Sequence, residues 1–223
     1  MLTTDGADSY VIRAFPRSSL AVAHELEVLE RLYPLGELVP RQVAHGRDDG
    51  IPVIVTTALG GHHPDPDLPP ETIAVQMADA LAKVHRLDGT GLRTEPHTDA
   101  AGERVLTHFD FWCGNALWDG DRLVGLVDCS GARLAPRGVD VAWCRQDLVL
   151  LGSRDAADLF LRTYEERSGH AVDDIHAWDV RAATQAGPSV ESWDVNYCGI
   201  GRTELTSAVL RERFDAWTAS LRG

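Results

Sequence analysis

The stretch His108-Phe109-Asp110-Phe111-Trp112-Cys113-Gly114-Asn115, with Asp128 thirteen residues beyond the asparagine at the end of an apolar run, decides the reading of this chain. An H-x-D-x-x-x-x-N loop divides two tasks over one short piece of backbone. Its aspartate accepts a hydroxyl proton, and its asparagine holds Mg²⁺ on a phosphate. Transfer of a γ-phosphoryl group needs positioning and charge neutralisation more than covalent help. These residues therefore predict Asp110 as the base and Asn115 as a metal ligand, with Asp128 as the second ligand behind a short hairpin. His108 reads as a structural histidine that hydrogen-bonds within the loop. On the residues alone, Asp140 is a helix N-cap or another structural carboxylate.

Outward from the loop, Ala116–Asp128 predicts a hairpin turned at Asp119-Gly120-Asp121. Helices are expected over roughly Val139–Leu151, Arg154–Ser168, Asp174–Gln185 and Thr203–Leu221. Upstream, Tyr10–Phe15 reads as a strand, and Leu20–Tyr33 carries apolar residues at helical spacing after a Ser18 or Ser19 cap. Val43-Ala44-His45 leads to an Asp48-Asp49-Gly50 turn and a β-branched strand, Ile51–Thr57. Gly60–Pro70 holds two glycines, two histidines and four prolines and reads as a linker, with an amphipathic helix from Glu71 to Leu87 after it. Two divisions follow, 1–59 and 60–223. The adjacent His62 and His63 read as loop residues rather than metal ligands.

Bulk properties narrow the function. At 223 residues the chain can build a substantial core. A net charge of −13 disfavours nucleic acid and anionic membranes as partners and suits a cationic one. No apolar run is long enough to span a membrane, and the N-terminus lacks the features of a signal peptide. Cys113, Cys129, Cys144 and Cys198 form no C-x-x-C pair and no zinc spacing, so reduced thiols in the cytoplasm are expected. Of the 21 basic residues only Lys83 is a lysine, so any other cationic task falls to arginine.

Thr107–Trp118, Leu123–Asp128 and Gly138-Val139-Asp140 together resemble the aminoglycoside phosphotransferase (APH/choline kinase-like) family. The resemblance runs from Tyr10 to about Leu161 and is most specific between Thr107 and Asp140. It implies an α+β, two-lobed, protein-kinase-like fold with a small β-rich N-terminal lobe and a larger, mainly helical C-terminal lobe. It implies Mg²⁺ and ATP (or GTP) as cofactors, and a small-molecule hydroxyl as acceptor, with aminoglycoside-like and other cationic compounds among the candidates. Asp140 becomes a buttress of the catalytic loop. Arg13 takes the place of the strand lysine that contacts the phosphates, and Glu25 that of its helix partner. Val55–Leu59 becomes the hinge, where backbone groups of Thr57 and Leu59 meet adenine. Trp112, Glu191 and Asp194 are candidates for the acceptor pocket. Asp128-Cys129-Ser130 stands where protein kinases have Asp-Phe-Gly, as in the small-molecule branch.

The family places two strands and a phosphate-covering loop ahead of the basic strand, whereas nine residues precede Tyr10 here. The N-terminal lobe is therefore expected to be incomplete, without its glycine-loop strands. The rival reading is a non-catalytic, pseudokinase-like protein that binds a nucleotide or another small molecule. The oligomeric state is not legible in the sequence.

Overall fold

A computed structural model describes residues 2–5, 8–19, 21–96 and 103–222. Its first part is a four-stranded antiparallel sheet of β1 (Leu2–Asp5), β2 (Asp8–Ala14), β3 (Gln42–Asp48) and β4 (Ile51–Thr57), in the order β1-β2-β4-β3. β4 pairs along both edges, with β2 and β3, and its β-branched residues suit a pleated, half-buried surface. Asp49 and Gly50, both at positive φ, turn β3 back onto it. Between β2 and β3 runs α1 (Ala21–Leu32), whose first turn is capped by Ser19 Oγ accepting from Ala21 N at 3.2 Å. α1 buries Glu25, Val28 and Leu32. One further strand, β1, precedes the basic one: Leu2 pairs with Val11 and Thr4 with Ser9.

The rest of the chain is mainly helical, as the α+β reading required. Helix α2 (Pro70–Val84) begins at a proline, whose missing N–H costs nothing at a helix start. Its alanine-rich face packs on α4 (Arg154–Ser168), where Ala156, Ala157, Phe160 and Tyr164 are buried. Small residues let these two axes approach closely, and that pair centres the core. α4 matches its expected span; Ser153 caps its start and Gly169, at φ 76°, ends it. Two short ladders carry the loop residues. The first pairs β5 (Arg104–Thr107) with β8 (Arg133–Pro136), and the second is the expected hairpin of β6 (Ala116–Asp119) and β7 (Arg122–Leu126).

α3 (Gly138–Leu150), α5 (Ile175–Ala186), α6 (Asp194–Gly199) and α7 (Ser207–Ser220) complete the chain. Asp174 is the N-cap of α5, accepting from Ala177 N, rather than its first helical residue. α7 starts four residues later than expected, at a Thr206 cap. β8 and α6 were not anticipated. The Gly60–Pro70 segment is not a slack connection. His62 pairs with Trp118 through N–H···O contacts of 3.0 and 2.7 Å, and the buried Arg202 donates to the carbonyls of Asp65, Pro66 and Leu68. No helix among the described residues is long and apolar enough to cross a membrane.

Candidate active site

The loop after β5 is shaped by one carboxylate. Asp140, fully buried in the first turn of α3, accepts from His108 N at 2.6 Å and Phe109 N at 2.8 Å. That grip holds Phe109 at φ 71°, a left-handed conformation a bulky residue does not adopt unaided. Arg133 stacks over the Phe109 ring, 3.6 Å from its centroid. Behind Asp140, His85 Nε2 lies 3.1 Å from its Oδ2, and His85 Nδ1 meets the Tyr164 hydroxyl at 2.7 Å. His108 donates through Nε2 to Val127 O at 3.0 Å, tying the loop to the end of the hairpin. Burial opposes charge on His108. The neighbouring Cys129 sulfur, Asp140 and Asp110 outweigh it and lift its pKa to about 9.

The far end of the loop is fixed independently. Asp147, one side of α3 further on, accepts from Cys113 N at 2.9 Å and from the Tyr197 hydroxyl at 2.7 Å. Burial pushes the Asp147 carboxyl up, while these two donors and Arg202 pull the other way. Asn115 donates through Nδ2 to Asp110 O at 2.8 Å and to Asp110 Oδ2 at 3.0 Å, so its own Oδ1 is the atom that could hold a metal. Burial also raises the Asp110 pKa, with Asp128 adding to the shift and Asn115, His108 and Trp143 opposing it.

Asp128 sits in the left-handed region, at φ 55° and ψ 44°, where the chain leaves the hairpin. It lines two clefts at once. One, of about 340 Å³, is bounded by Asp110, Asn115 and Asp128 at its chemical end, then by aromatic residues of the catalytic loop, α3 and α6. The other, of about 270 Å³, lies under the sheet and holds Arg13, Glu25, Thr57 and Leu59 among apolar side chains such as Val11, Val28 and Ile54. All four residues that the resemblance assigned to the nucleotide thus share one cleft, and Asp128 joins it to the other.

Arg13 reaches Glu25 at 3.2 Å and Asp128 at 3.6 Å, so an arginine spans the position expected of a lysine. Desolvation raises the Glu25 pKa, and the Arg13 guanidinium works against it. At the hinge, the Thr57 N–H is already spent on Arg41 O at 2.9 Å, and Ala58 N–H bonds to Ser9 O at 2.9 Å. Thr57 therefore has no free N–H to offer a ligand in this cleft, and Leu59 is the first residue past the strand hydrogen bonds.

Two acidic candidates fall away from the acceptor cleft. Glu191 is tied to Arg211 at 2.6 Å, and Asp194 accepts from the Ser207 hydroxyl at 2.6 Å. Trp112 does line the cleft, and its place depends on a glycine. A Cβ on Gly114 would come within 2.1 Å of the Trp112 indole, which packs edge-on against Tyr197 at 5.5 Å between centroids. Gly114→Ala is therefore expected to displace the indole and cost about 1–3 kcal/mol. A changed near-ultraviolet tryptophan signal with a lowered Tm would show it; an unchanged signal would contradict it. Sequence reasoning missed Trp143, Gln146, Asp147, Trp193, Asn196 and Tyr197, which all line the acceptor cleft. The available signal was the density of Trp, Tyr and amide residues in segments that also carry helical apolar spacing.

A two-layered cleft of this kind, a sheet-covered half beside a helical half with the H-x-D-x-x-x-x-N loop between them, defines a two-lobed, kinase-like phosphotransferase. The model of the phosphotransferase enzyme family matches residues 1–101 and 92–183, and the chain belongs to that family. No curated protein sequence matches it significantly. Among solved structures it is similar to the macrolide 2′-phosphotransferase MphH of Brachybacterium faecium, with a TM-score of 0.64 and 16% identity over 95% of this chain and 84% of that one. It is also similar to APH(2″)-IIa in a ternary complex with streptomycin and ATP, with a TM-score of 0.60 and 13% identity over 94% and 92% of the two chains. A third is a thermostable mutant of APH(4)-Ia in a ternary complex with ADP and hygromycin B, with a TM-score of 0.62 and 15% identity over 100% and 94%. At these identities the likeness establishes the fold.

Proposed function

We propose that the protein transfers the γ-phosphoryl group of ATP to a hydroxyl of a small molecule. The observation that carries this reading is Asp128, which faces both clefts with Asp110 and Asn115 on one side and Arg13 and Glu25 on the other. Asp110 takes the proton of the acceptor hydroxyl as that oxygen bonds to the γ-phosphorus and the bond to the β-phosphate oxygen breaks, releasing ADP. Arg13, steered by Glu25, binds the phosphates of the donor, and the apolar cleft around Thr57 and Leu59 takes the base. Asn115 and Asp128 suit Mg²⁺: they offer hard oxygen donors, and Mg²⁺ takes one or two such protein groups together with phosphate oxygens. When bound, that ion neutralises charge on the transferring phosphates. The segments 1–59 and 60–223 act as the two lobes that close on the nucleotide. Four free thiols, three of them buried, suit a cytoplasmic enzyme.

Thermal stability with and without Mg·ATP and Mg·GTP tests this reading. A nucleotide at one hundred times its dissociation constant should stabilise the fold by about 2.7 kcal/mol, and Asp128→Ala should abolish the metal-dependent part. Absence of any shift at millimolar nucleotide would overturn the nucleotide assignment and favour a non-catalytic binding role.

A further inference from the structure

The chemistry of the acceptor cleft goes beyond the phosphotransferase reading on which it rests. Four aromatic side chains form its walls. Trp143 and Trp193 lie 5.4 Å apart at 58°, and Trp112 and Tyr197 lie 5.5 Å apart at 81°. Three carboxylates line it, and each already has a task. Asp110 faces the reacting hydroxyl and Asp128 the metal, while Asp147 is occupied by Cys113 N and the Tyr197 hydroxyl. Glu191 is ion-paired with Arg211, and Asp194, which accepts from the Ser207 hydroxyl, is not among the residues that line the cleft. Among the described residues the lining holds no carboxylate beyond those three to spread among the several ammonium groups of a polycation on leaving water.

One buried polar side chain in the lining has an unspent atom. Gln146 is 2% exposed, and its Oε1 has no hydrogen-bond partner among the described residues. A buried amide carbonyl without a partner carries a desolvation cost that a ligand can relieve. The torsion that turns the amide is soft, so the side chain can present its oxygen or its NH₂ to the cleft. At about 340 Å³ the cleft is at the small end of the roughly 300–1,000 Å³ span of ligand sites.

We infer that the acceptor is a single-ring polyol, one sugar or cyclitol ring with at most one amine. The C–H faces of such a ring lie against flat aromatic walls, and its hydroxyl edge meets Gln146 and, at the mouth, Asn196. One hydroxyl of the same ring points to Asp110. Recognition works through shape and a hydrogen bond at the ring edge, and Gln146 is the specificity-determining residue.

The test is a tryptophan-fluorescence titration of the full chain with Mg·AMP-PNP present. The probes are myo-inositol, D-glucose and D-glucosamine, against streptomycin and hygromycin B. Phosphate transfer from Mg·ATP to each is followed in parallel. At least one single-ring probe is expected to give a saturable signal and to be phosphorylated. Gln146→Leu should then raise its KM about tenfold with a smaller change in kcat. Trp193→Phe, a conservative change in the cleft wall, should diminish the fluorescence response even if Gln146→Leu folds poorly. Saturation by streptomycin or hygromycin B with none by the single-ring probes overturns the inference, as does failure of all five. An unchanged KM in Gln146→Leu overturns the role of that residue. The Mg·ATP thermal shift separates the two levels: without it the phosphotransferase reading itself fails, and with it only the acceptor assignment does.

Discussion

Asp110→Asn is expected to lower kcat by about 10²–10⁴-fold, the usual contribution of a positioned general base, while the protein stays folded with an equal or higher Tm at pH 7. The second half of that result follows from the same burial that tunes the first. Burial and the Asp128 charge hold the Asp110 pKa above its ordinary value, so the folded state binds this proton more tightly than the unfolded chain does. Such a carboxyl stabilises the fold while it is neutral, and that stability is lost as pH rises through the folded pKa. An asparagine is always neutral and still offers Asn115 an acceptor, so it removes the penalty without breaking the contact. For the wild type, kcat/KM should fall towards acid along a limb that lies above the ordinary aspartate range. Wild-type turnover in Asp110→Asn, or an acid limb at ordinary aspartate pH, would remove Asp110 from the role of base.

Asp140→Ala should have the larger structural effect. It would strip the acceptor from two backbone N–H groups and from His85 in a site without solvent. Each orphaned buried donor costs about 1–3 kcal/mol, so a total of about 3–5 kcal/mol is expected. That is a large part of the roughly 5–15 kcal/mol that holds a typical domain together. Phe109 would also be released from its left-handed conformation, and Asp110 would move with it. Turnover should therefore be lost even at temperatures where the variant is folded. Asp140→Asn retains one accepting oxygen but sets an NH₂ group against a donor, so its loss should be intermediate. Urea unfolding of both variants checks the order. A destabilisation below about 1 kcal/mol for Asp140→Ala would show that the loop is held by something else.

The elements that could be read from the sequence were those whose evidence is local. Ile51–Thr57 is a run of β-branched residues after an Asp-Gly turn, and Arg154–Ser168 has its cap and its stop within its own span; both came out at their observed bounds. The loop was legible because its residue types recur at fixed spacing. β8 was not: Arg133–Pro136 has four residues, ends in proline, and exists as a strand only because Arg104–Thr107 lies beside it. Arg145-Gln146-Asp147 looks like a solvated helical turn, yet all three are buried, because α3 runs through the core and turns its polar residues towards the cleft and towards Asp179. Burial of that kind is a property of the packing around a helix rather than of its own pattern. Arg13 and Glu25 needed the family resemblance, since nothing local distinguishes them from surface charges until the fold sets them 3.2 Å apart.

The grip of Arg202 and Trp118 on the stretch between β4 and α2 bears on how the molecule can be handled. Its composition would invite a molecular biologist to split the gene there, or to seek a protease cut that frees two fragments. Proteolytic nicks favour exposed loop tips whose backbone is little buried and little hydrogen-bonded. Here the peptide groups are bound on both sides, to a hairpin and to a guanidinium rooted after α6. Fragments cut at that stretch would each carry half of a torn hydrogen-bond set, so tags and split-reporter junctions belong elsewhere, at the Asp119-Gly120-Asp121 turn or the Asp49-Gly50 turn, where the chain reverses at the surface.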